Sequence, residues 1–123
     1  MSAEQPLLIS VVELGGYANF TPLYQRLGYR VETVNTGRKA ISLLKKQQPE
    51  VVVAEFNYQF SFRDRTSNLE SILAVIQPSE ACRVVVFYDP QVQEILDQVR
   101  ERFPNFIPLA YPVDEAQLEA ALS

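Results

Sequence analysis

The chain has 123 residues, 47% hydrophobic and 21% charged, with a net charge of −4, the balance of one ordinary soluble domain spanning residues 1–123. Histidine is absent and Cys82 is the sole cysteine, which excludes an intrachain disulfide, a structural zinc site and the His-activated nucleophiles. No Lys/Arg run exceeds Lys45-Lys46, no apolar run nears the ~20 residues that span a bilayer, and the N-terminus lacks the basic start and apolar stretch of a secretory signal, so the expectation is a cytoplasmic protein with no metal, no cofactor, and no nucleic-acid or membrane partner.

The first element in chain order is Leu7-Leu-Ile-Ser-Val-Val12, an almost continuously apolar run that suits a strand buried on both faces. Gly15-Gly16 follows. Backbone N–H groups can approach an anion closely where side chains are absent, but the segment fits neither phosphate-binding glycine pattern, and a plain turn is the simpler reading. Thr21-Pro22 has the form of an N-cap followed by Pro at the first helical position, giving a first helix of about two turns. A longer helix kinked at Pro22 is the alternative. Arg30–Val34 is a second strand. Ala40, Ile41, Leu43 and Leu44 then share one helical face, with Arg38, Lys39, Lys45 and Lys46 largely outside it.

Val51-Val-Val-Ala54 begins a third strand, expected over 51–56. Phe56-Asn-Tyr-Gln-Phe-Ser-Phe62 alternates aromatic and polar residues, as an extended segment with one apolar face does. Leu69, Ile72, Leu73 and Ile76 mark a helix stopped by Pro78. Cys82 precedes a fourth strand, 83–88, and reads as a small core residue. Val92, Ile95, Leu96, Val99 and Phe103 recur at amphipathic-helix spacing, a fifth strand is expected over 107–111, and a short helix covers Gln117–Leu122. Strands alternating with helices imply right-handed crossovers and an α/β fold with a parallel sheet.

Three stretches carry a resemblance. Leu27-Gly-Tyr-Arg-Val-Glu-Thr-Val-Asn-Thr-Gly-Arg-Lys-Ala-Ile-Ser-Leu-Leu44, Pro49-Glu-Val-Val-Val-Ala-Glu-Phe56, and Tyr111-Pro-Val-Asp114 followed by Leu118 together resemble the response-regulator receiver family. The resemblance implies a flavodoxin-like fold: five parallel strands in the order 2-1-3-4-5 with helices on both faces. It also implies a cis bond before Pro112. At the family's phosphoacceptor Asp this sequence has Glu55, and at its metal-binding acidic pair it has Val12-Glu13-Leu14, with Glu13 as the one carboxylate. Its Thr or Ser falls on Tyr88, its Lys on Tyr111, and its aromatic switch residue on Pro108.

These departures bear on one reaction. Phosphoryl transfer to a carboxylate needs Mg²⁺ bridging acceptor and phosphoryl oxygens, and a fixed cation to offset developing charge. A reduced acidic pair weakens the first, and Tyr111 in place of Lys removes the second. The resemblance therefore implies a degenerate receiver, not an enzyme, that signals through a protein partner or a second copy of the chain. The alternative function is small-molecule sensing at the carboxyl ends of the strands, near Gly15-Gly16 and Tyr88. Glu55 reads either as a partial phosphate mimic or, the favoured reading, as a solvated carboxylate. Tyr58, Phe60 and Phe62 read either as cover for the domain itself or as a platform for a partner. Val92 and Leu96 mark the fourth-helix face, where partners of the resembling family often dock.

Overall fold

The computed structural model describes residues 5–12, 19–56, 68–76 and 82–122. Strands β1 (Leu7–Val11), β2 (Arg30–Val34), β3 (Val51–Glu55), β4 (Arg83–Tyr88) and β5 (Phe106–Ala110) alternate with helices α1 (Thr21–Arg26), α2 (Gly37–Lys46), α3 (Asn68–Ile76), α4 (Gln93–Arg102) and α5 (Glu115–Leu122). A 3₁₀ turn, Pro90–Val92, leads into α4. The sheet order is β2-β1-β3-β4-β5, and every neighbouring pair is parallel. This is the flavodoxin-like order. Strand bounds agree with expectation except at ends: β5 starts a residue early because Phe106 pairs with Val84, and β1 and β3 each stop a residue short.

Strand side chains alternate between two cores. Leu7, Ile9, Val11, Val52, Ala54, Val84, Val86 and Tyr88 face the core shared with α2, α3 and α4. Leu8, Val51, Val53, Val85 and Phe87 face the core shared with α1 and α5. Helices on both sides explain why β1 and β3 are buried at every position.

Local signals set the helix ends. The N–H of Lys39 donates to Thr36 Oγ1 (3.1 Å) at the start of α2, that of Gln91 to Asp89 Oδ1 (2.9 Å), and that of Ala116 to Asp114 Oδ1 (2.9 Å), each satisfying a donor the first turn leaves open. At α1 the cap differs from expectation. Thr21 is the first helical residue and Phe20 the N-cap, and the Thr21 N–H donates to Asn19 Oδ1 at 3.0 Å. The helix is short and begins beside Pro22, without a kink. It ends in a paired closure: the Gly28 N–H donates to the Gln25 carbonyl (3.0 Å) and the Tyr29 N–H to the Tyr24 carbonyl (3.1 Å). Gly28 adopts φ +97° there.

Helix α5 covers its share of the sheet despite its length, since Leu118 and Leu122 are both buried. The Tyr29 hydroxyl donates to the Leu122 carbonyl (3.2 Å), occupying an acceptor at the helix's end. Arg26 pairs with Glu115 (3.3 Å) and Glu119 (3.2 Å) across α1 and α5, but these exposed pairs are worth little in water. The Tyr111–Pro112 peptide bond is cis.

Gly28 gives a clean test of the α1 closure. A Cβ built there meets nothing within 4 Å, so Gly28→Ala should destabilise only through the left-handed backbone, by about 1 kcal/mol. A lower urea midpoint with an unchanged slope would report it.

Candidate functional site

The carboxyl ends of the strands carry the polar chemistry. Glu55 is the last residue of β3 and is 4% exposed. This corrects the expectation of a solvated carboxylate: Glu55 pairs in register with Phe87 on β4 and lies on the α1/α5 side, where β3 and β4 are covered.

Beside Glu55 is a cleft of about 320 Å³. Its walls come from the ends of β1 and β3 (Ser10, Val11, Val12, Val53, Glu55), from Thr33 on β2 and from Phe87 on β4. Asn19, Phe20, Thr21 and Tyr24 close it from the α1 side. Ser10 pairs in register with both Thr33 and Val53, so two hydroxyl residues stand side by side on one sheet face. The Phe20 and Phe87 rings meet edge to face, with centroids 5.8 Å apart and planes at 71°. Tyr24 is buried, and burial pushes its phenol above the usual tyrosine range, so it is neutral across ordinary pH. The cleft lies where the chain reverses its direction of winding, between β1 and β3, the position at which open α/β sheets accept ligands.

The other anticipated site residues are dispersed. Tyr88 follows Phe87, so alternation sends its ring to the opposite face, where it is buried in the α2–α4 core. It does not line the cleft. Of the pocket expected near Gly15-Gly16 and Tyr88, the Tyr88 ring is on the other side of the sheet from this cleft, and Gly15-Gly16 lies outside the described residues. Tyr111 is on the surface, 49% exposed, and its N–H donates to the Tyr88 carbonyl (2.7 Å). Pro108 pairs in register with Val86 on the α4 side of β5. Glu13 and the aromatic loop Tyr58, Phe60 and Phe62 also lie outside the described residues.

Val92 and Leu96 need a correction as partner contacts. They are 8% and 1% exposed and belong to the domain's own core. The spacing that singled them out is that of an inward face, and the outward face of α4 carries Glu94, Asp97, Gln98 and Glu101 instead.

Ser10 and Tyr24 were not anticipated as site residues. The signal for Ser10 was one hydroxyl inside an apolar strand. Tyr24 gave none, because an aromatic on a short helix reads as core.

No protein-family model matches the chain, and no curated protein sequence matches it significantly. Solved structures do. A response regulator receiver protein from Sinorhizobium medicae superposes with TM-score 0.72 at 21% identity, over 98% of this chain and 93% of that one. The chemotaxis protein CheY4 of Vibrio cholerae gives 0.70 at 18% identity, over 97% of each chain. A streptococcal redox sensor described as evolved from two-component response regulators gives 0.70 at 20% identity, over 94% of this chain and 48% of that one. The chain thus has the fold of response-regulator receiver domains.

Cys82 is half-buried and lines a small cavity with Leu44, Gln48, Pro49, Val75 and Ile76. Burial, with the Glu50 carboxylate adding to it, pushes the thiol up to about 11. A raised thiol pKa means the nucleophilic thiolate is scarce at neutral pH and grows as pH rises toward that value. Iodoacetamide should therefore label Cys82 slowly at neutral pH, with a rate rising roughly tenfold per pH unit well past the ~8.5 at which an ordinary thiol levels off. Rapid labelling at pH 7 would contradict the environment described.

Proposed function

We propose that this protein is a pseudo-receiver, a non-enzymatic signalling module that acts through phosphorylation-independent contact with a protein partner or a second copy of itself. The observation that carries the reading is the end of β3, where a buried Glu55 stands at the position that holds the phosphoacceptor Asp in the resembling family. The longer side chain moves the carboxylate toward the space a phosphoryl group would fill.

Its neighbours support the same reading. The hydroxyl counterpart, Tyr88, has its ring in the core on the other side of the sheet from Glu55, and a Tyr occupies the place of the charge-offsetting Lys. With Mg²⁺ held weakly and no fixed cation from Lys, little remains to stabilise the charge of a transferring phosphoryl group. Partner contact then falls to the outward side of α4 together with β5 and α5, which is polar along α4. The negative balance of the chain argues against nucleic acid as the partner, and a cytoplasmic setting fits a lone unpaired cysteine.

Incubation with acetyl phosphate and Mg²⁺ should leave the intact mass unchanged when read on a short timescale, and Mg²⁺ alone should leave the thermal midpoint unchanged, because a metal bound only by the folded state must raise it. A phosphoryl mass increment that disappears in Glu55→Gln would overturn the proposal.

A further inference from the structure

Two helices on the same face of the sheet carry opposite charge. Helix α2 has Arg38, Lys39, Lys45 and Lys46 and no acidic residue. All four are exposed, and with Gly37 and Ala40 buried they stand on the side turned away from the sheet. Helix α4 has Glu94, Asp97 and Glu101 in one stripe, at i, i+3 and i+7, all exposed and opposite the buried Leu96 and Val99. Its two arginines flank that stripe and lie over rings of the domain itself, Arg100 at 5.7 Å from the Phe106 centroid and Arg102 at 5.5 Å from that of Phe103. Among the described residues no ion pair neutralises the four cations of α2 or the three carboxylates of α4.

Topology sets these helices at opposite flanks of one layer. The strands run β2-β1-β3-β4-β5, and right-handed crossovers then lay α2 by β1 and β2, α3 by β3 and β4, and α4 by β4 and β5. All three pack on the same core. Helix α3, in the middle, has a single charged residue, Glu70. Across the layer the sign therefore passes from positive to negative.

We propose that this three-helix layer is a self-association surface, on which α2 of one copy lies against α4 of a second copy while the reverse contact forms at the same time. A two-fold axis running along α3 produces this arrangement. It carries each positive flank onto the partner's negative flank, and it closes the pair because both copies use the same patch. The charges match in spacing too. Arg38 and Lys45 are seven residues apart, as are Lys39 and Lys46, and Glu94 and Glu101, a rise of about 10 Å in each case. The inference rests on the reading of the protein as a module that works by contact, and makes the second copy its partner. The net charge of −4 fixes how salt must act. Copies of an evenly charged acidic domain repel, and salt relieves the repulsion, whereas copies held by facing opposite charges separate as salt is added.

The test is a dilution series of the ¹⁵N-labelled chain from about 0.5 mM, a range suited to weak contacts, followed by sedimentation equilibrium and by amide shifts. At about 10 mM NaCl, where the screening length is about 30 Å, the mass should rise to twice the 14.0 kDa of one chain and no further. Amides of α2 and α4 should shift together on dilution, and those of α1 and α5 should not. At about 0.3 M NaCl the association constant should be about tenfold lower or less. Lys45→Glu with Lys46→Glu, and separately Glu94→Lys with Glu101→Lys, should each leave a monomer. All four positions are exposed, and an unchanged circular dichroism spectrum checks that the fold is kept. An equimolar mixture of the two variants should restore the dimer, since each reversed helix then meets its complement on the other copy. The proposal fails if the chain is monomeric at low salt, if association strengthens with salt or grows past the dimer, or if the mixture stays monomeric. None of these outcomes bears on whether acetyl phosphate modifies the protein, so failure of the pairing and failure of the pseudo-receiver reading are seen separately.

Discussion

A parallel sheet covered by helices on both faces has nowhere to hide a polar side chain along the middle of a strand. Burial of an unpaired hydroxyl or carboxylate costs several kcal/mol, often more than one such group can return. In β1, β3 and β4 the interior positions are therefore apolar almost without exception, and polar groups are pushed toward the carboxyl ends. Ser10 is the next-to-last residue of β1 and Glu55 the last of β3. Their meeting at one cleft results from packing on both faces together with the reversal of winding between these two strands.

The same alternation keeps other polar groups apart. Glu55 is in register with Phe87, and Tyr88 is one residue further along. One residue in a strand is a change of face. Here Tyr88 is buried in the α2–α4 core while Glu55 lies on the other side of the sheet, so the two side chains do not meet. Two aromatic residues in succession at the end of β4 thus serve two cores: Phe87 closes the α1/α5 side and Tyr88 the α2–α4 side.

Much of the architecture was legible because it rests on period and punctuation. Continuous apolar runs marked the central strands, and the receiver resemblance supplied the strand order that periodicity cannot; the spacing in α4 marked a helix, but its inward residues Val92 and Leu96 were taken for a partner face. The misreadings have physical sources. Thr21 looked like a cap, but it is the first helical residue, Phe20 is the N-cap, and the Asn19 carboxamide oxygen accepts from the Thr21 N–H. The start of α5 was set too late because the apolar face was followed back only to Gln117, whereas the Asp114 cap lets the helix begin at Glu115. Glu55 was read as solvated because a carboxylate usually is, and its burial depends on helices distant in sequence. Tyr24 and Ser10 were passed over for a related reason. A cavity is a property of what several elements fail to fill, and no single segment encodes it.

The outer margins of the sheet have a consequence for crowding and self-association. The N–H of Tyr111 is directed at β4. Since amide directions alternate along a strand, those of residues 109 and 107 point the same way, and position 108 faces outward. There Pro108 has no N–H to offer. A strand arriving at this margin from another molecule would find the hydrogen-bonding ladder interrupted at its middle rung. At the opposite margin β2 carries Arg30 and Glu32, paired at 3.3 Å, and their charges would have to be stripped of water before a backbone could draw alongside. Both margins discourage runaway stacking into fibrils. At the described strand margins, association with another molecule is left to side chains rather than to an added backbone ladder.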